Sequence, residues 1–328
     1  MRRAYVKQVD SLVISTSEEG KIVKKMKVSQ ILQGKNSQKI HTMSESNKYD
    51  LFGSKRADSR ALAAEFVATA LFVFTGCGVA VSGQTLNDRN SADGAANDSG
   101  LLVAIALAFG FAISVLAYTI APVSGGHINP AVTFAFVVLG DFNLFEFGAY
   151  LAAQCSGAVL GAAIVWGTYE STVLSDPPFG LGINTVHPSY SQGSAFLGEM
   201  MGTIILVWTV LMTAVSSKSI AGNLAPIAIG WSVMLAHLLL VPLTGCGINP
   251  ARSFGPHVVA ALGGLGDEVG TDGWWVYYTA PFVGAAVAAV TCQQIFGVMK
   301  PEAAAAETDA VQGKSSASVA SSEHEMKA

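Results

Sequence analysis

Charged side chains are scarce in this chain. Asp, Glu, Lys and Arg make up only 13% of its 328 residues, whereas 51% of the residues are hydrophobic, and the mean hydropathy is +0.45. A soluble domain with this composition would be unusual, and the balance is typical of a protein that crosses a membrane several times. The net charge of −4 is spread over loops and tails, so the sequence gives no support to nucleic-acid binding.

Cysteine is also scarce, and no group of residues indicates catalysis. Four cysteines are present, all in or beside apolar segments, so we expect no disulfide framework. No nucleophile lies at a convincing spacing from a base, and no group of residues has the spacing of metal ligands. We therefore expect neither an enzyme nor a cofactor or metal site.

Basic residues almost disappear from the middle of the chain. Between residues 61 and 297 only Arg89, Lys218 and Arg252 are basic, whereas residues 1–60 contain many. Because basic residues collect on the cytoplasmic side of membrane proteins, we expect a cytoplasmic N-terminus. Apolar stretches at about 61–82, 101–121, 145–168, 195–215, 224–241 and 274–298 predict six transmembrane helices. An even number of spans returns the C-terminus to the cytoplasm.

Two Asn-Pro-Ala triplets, Asn129-Pro130-Ala131 and Asn249-Pro250-Ala251, interrupt the apolar sequence. Asn caps a helix from outside and Pro suits the first helical position, so each triplet predicts the start of a helix. The apolar runs that follow end near residues 139 and 262. At about 1.5 Å per residue, each covers only about half of a ~30 Å hydrocarbon core. Two half-helices in one chain suggest a pore.

An internal repeat relates the two triplets. Residues 64–69 (AEFVAT) resemble residues 198–203 (GEMMGT), and a triplet follows each of the two glutamates, Glu65 and Glu199. Each repeat, at about 59–168 and 195–299, holds three spans and one half-helix. Because three is odd, the second copy crosses the membrane with opposite polarity. Asn129 and Asn249 are therefore predicted to meet near the membrane midplane.

These features resemble the aquaporin family, also called the major intrinsic proteins, over about residues 60–300. The resemblance rests on both triplets, on the Ala-Glu-Phe that opens the first span, and on TGCGINPARSFG at residues 244–255. It implies an all-α membrane protein with six transmembrane helices and two re-entrant half-helices in an inverted repeat. A homotetramer with one pore in each subunit is also implied. We expect the channel domain at residues 59–299, between disordered cytoplasmic tails at 1–58 and 300–328.

The paired asparagines suggest how such a pore would pass water but not protons. Capping alone would explain either residue singly. As a facing pair, each amide NH₂ can also donate to a passing water, which then cannot accept a proton from its neighbour. The two half-helix N-termini each carry about half a positive charge, which repels hydronium and metal cations.

A narrow filter is the second predicted feature of the pore. Arg252 is the only basic side chain expected at membrane depth, which makes it a functional candidate; an ion pair with Glu65 or Glu199 is the structural alternative. The resemblance places it with Phe109, His237 and Cys246 in the family's aromatic/arginine filter. Two of these positions, Phe109 and His237, carry bulky rings, and Ser253 stands where glycerol-conducting members usually have an acid. Both features match the orthodox water-selective type.

Four polar residues are candidate supports of the pore. Glu65 and Glu199 could mark a proton relay, or accept hydrogen bonds from the irregular backbone before each half-helix, which cannot stay unpaired in a membrane. The resemblance implies the second role and gives Gln154 a similar one. His127 can line the channel or support the first half-helix, and the sequence favours neither.

A passive water channel is the function that these features favour. The alternative is a broader facilitator for glycerol, urea, ammonia or peroxide. A proton-coupled transporter would require a membrane carboxylate to change protonation, and a structural junction protein would require a closed pore. The expected partners are water, the lipid bilayer and further copies of the chain. We expect the plasma membrane as its location, with an intracellular membrane as the alternative.

Overall fold

Helices form all of the regular structure in the part of the chain that the computed structural model describes. That part comprises residues 58–90, 98–169, 180–263 and 273–297. Six of its helices are long and apolar enough to cross a membrane, as the apolar stretches predict. The expected tails, apart from Asp58, lie outside the described residues.

The described residues contain eight α-helices, which follow one another in two similar series. The first series is α1 (Ser59–Asn90), α2 (Asp98–Ser124), the half-helix α3 (Pro130–Val138) and α4 (Leu144–Thr168). The second is α5 (Gln192–Val210), α6 (Ala225–Thr244), the half-helix α7 (Pro250–Leu262) and α8 (Trp274–Gln294). A single wider π-helical turn, Leu211–Val215, continues α5. Both half-helices start and end within one residue of the predicted positions.

Packing follows the same pattern in both series. Helix α1 packs against α2 and α4, and α5 packs in the same way against α6 and α8. Helices α2 and α6 join the two series, while α3 packs on α8 and α7 packs on α4. Each half-helix is therefore held by the other half of the molecule, which confirms the predicted fold class.

Glycine lets the spanning helices of each series approach closely. A Cβ atom on Gly157 of α4 would lie 2.2 Å from the carbonyl oxygen of Phe66 in α1. Gly284 of α8 faces the carbonyl oxygen of Met200 in α5, where a Cβ would lie at 2.5 Å. No carbon atom fits at such distances, so these contacts need glycine, as close helix packing in membranes often does.

Candidate pore between the half-helices

Each Asn-Pro-Ala triplet starts its half-helix as the sequence predicts. Asn129 has an extended backbone, and its Oδ1 accepts the backbone N–H of Ala131 at 2.8 Å. Asn249 does the same for Ala251 at 3.1 Å and for Arg252 at 3.2 Å. The following proline is the first helical residue in both copies, where its missing N–H costs nothing.

The two asparagines also tie the half-helices together. Nδ2 of Asn129 donates to the carbonyl oxygen of Ile248, and Nδ2 of Asn249 donates to that of Ile128, both at 2.9 Å. An amide NH₂ has two hydrogens. One hydrogen of each asparagine therefore remains, and both side chains line a cavity of about 370 Å³.

The two carbonyls that accept these bonds belong to residues with unusual backbone angles. Ile128 has φ 54° and Ile248 has φ 45°, in the left-handed region that a β-branched residue rarely adopts. Such strain persists only where the surroundings impose it. Here the carbonyl of each residue accepts a hydrogen bond from the asparagine of the opposite half-helix.

Glu65 supports the segment that leads into α3. The side chain is fully buried and accepts the backbone N–H groups of His127 at 2.9 Å and Ile128 at 2.7 Å. It also accepts the hydroxyl of Ser124 at 2.7 Å and Nε2 of Gln154 at 2.9 Å. Both of its oxygens are therefore occupied by donors.

Glu199 holds the equivalent segment before α7. It is fully buried and accepts the backbone N–H groups of Gly247 at 2.7 Å and Ile248 at 2.6 Å. The hydroxyl of Thr244 donates to it at 2.6 Å. The two glutamates thus satisfy corresponding backbone donors in the two halves, where unpaired groups would be costly.

His127 both lines the cavity and supports α3. The Thr133 hydroxyl donates to the carbonyl oxygen of Asn129 and accepts Nε2 of Gln154, each at 3.1 Å. Nδ1 of His127 lies 3.1 Å from the same hydroxyl. The ring stacks on Phe136 at 4.6 Å between centroids, and the residue is part of the cavity wall.

Two of the predicted filter residues, His237 and Arg252, each contact a third, Phe109. The rings of Phe109 and His237 stack with centroids 4.3 Å apart, and Cζ of Arg252 lies 4.9 Å from the centroid of Phe109. All three side chains are almost completely buried. Cys246 is fully buried in the same apolar cluster as Phe109 and has φ 54°.

The ring of His237 presents an acceptor. Its Nδ1 lies 2.8 Å from the carbonyl oxygen of Val233, which can only accept, so Nδ1 carries the hydrogen. In the neutral ring Nε2 is then an acceptor, and this buried atom has no hydrogen-bond partner among the described residues. His237 is also part of the cavity wall.

Backbone carbonyls hold the guanidinium of Arg252. The carbonyl oxygen of Gly245, in the same re-entrant segment, lies 3.5 Å from one terminal nitrogen, and that of Gly182 accepts the other at 2.6 Å. Among the described residues no carboxylate is within hydrogen-bond distance of Arg252, so the alternative ion pair is not formed. Nε is buried without a partner.

Sequence reasoning did not predict that the carbonyl oxygen of Gly182 binds Arg252. Gly182 lies in the connection between α4 and α5. Residues 180–191 of this connection contain no Asp, Glu, Lys or Arg and no catalytic motif. The signal available was the short Gly-Leu-Gly-Ile-Asn run at residues 180–184. Leu181 and Gly182 both have positive φ, of 58° and 65°, which turns the segment inward.

The cavity extends from the middle of the molecule to one end of the bundle. Its polar groups are His127, the two asparagines and His237, and most of its remaining wall is apolar. At its other end lie Val215 and Gly222, between α5 and α6. It is therefore a largely apolar cavity that reaches the paired amides and His237, one of the four predicted filter residues.

A known protein family matches most of this chain. The family model described as major intrinsic protein matches residues 53–291. The chain belongs to the major intrinsic protein family. Aquaporin-1 of Sus scrofa is 39% identical over 229 residues, which cover 70% of this chain and 79% of the relative. Probable aquaporin PIP2-6 of Arabidopsis thaliana is 38% identical over 247 residues, or 74% and 82% of the two chains.

A solved structure shares the fold of this major intrinsic protein. The X-ray structure of the aquaglyceroporin from Plasmodium falciparum superposes with a TM-score of 0.62 at 24% identity. The match covers 72% of this chain and 96% of that one. Together with the six apolar helices, these findings make the chain a multi-pass integral membrane protein of a channel family.

Proposed function

We propose that the protein is a passive water channel that conducts water in single file and excludes protons and ions. The observation that carries this conclusion is the pair of crossed asparagines at the junction of the half-helices. Each amide uses one hydrogen to bind the opposite segment, so one donor of each remains for a permeating molecule. A water that accepts from both amides must direct its own hydrogens away from them.

This orientation interrupts proton conduction. Proton hopping requires each water to accept a hydrogen from its neighbour along the file. A water whose oxygen already accepts from Asn129 and Asn249 has no lone pair left for that step. The positive ends of α3 and α7 meet at the same point and add an electrostatic barrier against cations.

The filter residues offer water both kinds of hydrogen bond. Nε2 of His237 is a buried acceptor and Nε of Arg252 is a buried donor, and both lack protein partners in the described structure. Leaving such groups unpaired is costly, so each of them favours a passing water. The Phe109 ring packs against both His237 and Arg252. This packing leaves little room for a carbon chain, which argues against the broader facilitator.

The glutamates are proposed as structural acceptors, with Gln154 and His127 as further supports. Four donors surround Glu65, and three surround Glu199. A carboxylate that binds backbone donors on both oxygens is suited to holding a loop. A proton carrier would have to release these donors in every cycle.

We also propose the arrangement of the chain in its membrane. Residues 59–299 form the channel domain, with repeats at about 59–168 and 195–299. The many basic residues before the first span support a cytoplasmic N-terminus and, after six spans, a cytoplasmic C-terminus. By family resemblance the protein is a homotetramer in the plasma membrane.

Stopped-flow light scattering of proteoliposomes tests the proposed function. With sucrose as the external osmolyte, vesicles with the protein should shrink faster than empty vesicles. With glycerol, they should shrink and then re-swell no faster than empty vesicles. Rapid protein-dependent re-swelling would favour the broader facilitator, and shrinkage at the rate of empty vesicles would reject the channel.

A further inference from the structure

The ring of Phe109, one of the predicted filter residues, lies directly on helix α1. A Cβ atom on Gly76 would lie 2.2 Å from Cε1 of this ring, whereas ordinary van der Waals contact begins at 3.4 Å. Phe72 makes an edge-on contact with the same ring, with centroids 5.3 Å apart. Because residues four apart lie on one face of a helix, Phe72 and Gly76 together form the surface on which the ring rests.

The same ring also contacts the polar residues of the filter. His237 stacks on it with centroids 4.3 Å apart, and Cζ of Arg252 lies 4.9 Å from its centroid. Each of these two residues has a buried nitrogen without a hydrogen-bond partner among the described residues, Nε2 in His237 and Nε in Arg252. These are the groups proposed to bind passing water. The Phe109 ring therefore connects α1 with both of them.

Helix α1 is fixed against α4 on either side of Gly76 in the sequence. The carbonyl oxygen of Ala70 leaves no room for a Cβ on Gly161 of α4. The hydroxyl of Tyr169, at the end of α4, donates to the carbonyl oxygen of Gly78 at 3.0 Å. The helix therefore cannot withdraw easily from the Phe109 ring, and a larger residue at position 76 would have to displace the ring.

The next residue of α1 contacts the segment that holds Arg252. The thiol of the fully buried Cys77 donates to the carbonyl oxygen of Gly182 at 3.8 Å, and the same oxygen accepts Nη1 of Arg252 at 2.6 Å. A Cβ on Gly182 would lie only 2.8 Å from Cβ of Cys77. Two consecutive residues of α1 therefore lie against two different parts of the filter, which fixes the helix from this side as well.

We propose that Gly76 is a positioning residue that sets the width of the filter. Because this residue has no side chain, the Phe109 ring can lie against α1 and leave the passage open. Gly76 has no group that could reach a permeating molecule, so it acts through the ring alone. The inference rests on the proposed function, because it concerns the width of the same water path.

A methyl group at position 76 should narrow this filter. In Gly76→Ala the edge of the Phe109 ring must move about 1 Å away from α1, because a close-packed interior leaves no free space for the added atom. This movement presses the ring toward His237 and Arg252. We expect the water permeability per channel to fall about ten-fold, the lower end of the factor by which one methylene group discriminates in a close-fitting pocket.

The test measures osmotic water permeability in proteoliposomes by stopped-flow light scattering, with sucrose as the osmolyte. It compares the wild type with Gly76→Ala, with Phe109→Ala and with the double variant. The double variant lacks the ring that the methyl group would displace, so it should conduct as Phe109→Ala does. Gly78→Ala is the matched control, because a Cβ there would lie 3.8 Å from the Tyr169 hydroxyl, an ordinary contact. Size-exclusion profiles and the amount of reconstituted protein give the flux per folded channel.

The proposal predicts a loss of flux in Gly76→Ala, wild-type flux in Gly78→Ala, and equal flux in Phe109→Ala and the double variant. A folded Gly76→Ala with wild-type flux, or a flux lowered equally in Gly78→Ala, would overturn it. If Gly76→Ala does not fold, the double variant decides. It should fold and conduct like Phe109→Ala, and any lower flux would contradict the inference. A wild-type protein that conducts no water would instead overturn the proposed function, so the two failures are distinguishable.

Discussion

Single side chains in this pore perform two tasks at once. Asn129 caps its half-helix through Oδ1 and binds the opposite segment through Nδ2. Asn249 does both for the other half. Aspartate could provide the cap but has no amide donor, and alanine could provide neither. This double use explains why an amide suits both positions better than a simple capping residue.

Enlarging the filter should change which solutes pass. Phe109→Ala together with His237→Gly removes the two stacked rings and leaves Arg252 in place. Glycerol permeability should rise by about ten-fold or more, because pocket size alone discriminates by factors of this order. Stopped-flow scattering with a glycerol gradient measures the effect. A folded, water-permeable double variant that still excluded glycerol would place the constriction elsewhere.

Replacing a pore glutamate should affect stability before transport. Glu65→Gln or Glu199→Gln turns one acceptor oxygen into an NH₂ group that faces donors. We expect the free energy of unfolding to fall by ~1–3 kcal/mol, as measured by thermal or denaturant unfolding in detergent. Glu146→Gln is the control, since Glu146 completes the capping box of α4, where Gln can serve in place of Glu, and the change should cost less than about 0.5 kcal/mol.

Transport measurements on the same variants separate the two roles of the glutamates. Structural acceptors predict that folded Gln variants still conduct water passively. A flux in the wild-type protein that follows an imposed pH gradient and disappears in either Gln variant would support the proton-coupled transporter instead.

At the scale of helices, the half-helices depend on partners from the other repeat. Helix α3 has nine residues and α7 has thirteen, lengths at which an isolated helix is marginal even in water. Their caps, the crossed asparagine bonds and packing on α8 and α4 supply the missing stability. A change that separates the spanning helices should therefore also disturb the pore.

Close packing of α1 and α4 gives a matched pair of substitutions. Gly157→Ala would place Cβ 2.2 Å from the carbonyl oxygen of Phe66, whereas a Cβ on Gly148 of the same helix meets no atom within 4 Å. Overpacking should destabilise the first variant by ~1–3 kcal/mol. Gly148→Ala should be neutral or stabilising by up to about 1 kcal/mol. Thermal unfolding compares them, and equal stability would contradict the packing.

The sequence predicts helices here much better than it predicts contacts. Apolar runs and Asn-Pro starts are local, so the spans and half-helices are found close to their expected positions. One exception is α1, whose helix continues to Asn90 while its apolar part ends at Gly83. The π-helical turn after α5 has no local signal that we can identify.

In the candidate site, too, the sequence predicts some features and not others. The internal repeat relates Glu65 to Glu199 in the sequence, and in the structure they have corresponding backbone partners. The hydrogen bonds of Gly182 and Asn184 join residues about 70 positions apart. Spacing within a single sequence carries no information on such pairs, so these contacts required the structure.

At the scale of the whole molecule, a single chain forms both the cavity and the proposed filter. The cavity is lined by both halves of the repeat, and the proposed filter is built from α2, α6, the re-entrant segment and α7. Each subunit should therefore contain a complete pore. Association into a tetramer would arrange four such pores side by side without completing any of them.

Removal of the tails should leave conduction intact. A variant that lacks residues 1–58 and 300–328 keeps every residue of the proposed pore. Its water permeability per protein in proteoliposomes should equal that of the full chain, with similar thermal stability. A large loss of flux in a folded, correctly reconstituted variant would show that the channel domain extends beyond 59–299.

Water flux and proton flux measured on the same proteoliposomes decide whether the protein is a water channel that excludes protons. Proteoliposomes loaded with a pH-sensitive dye are exposed to an osmotic gradient and, separately, to a pH gradient with a permeant counter-ion. A passive water channel should give a water flux well above that of empty vesicles and independent of the pH difference, with a proton flux equal to that of empty vesicles. Protein-dependent proton flux, or water flux equal to that of empty vesicles, would contradict it.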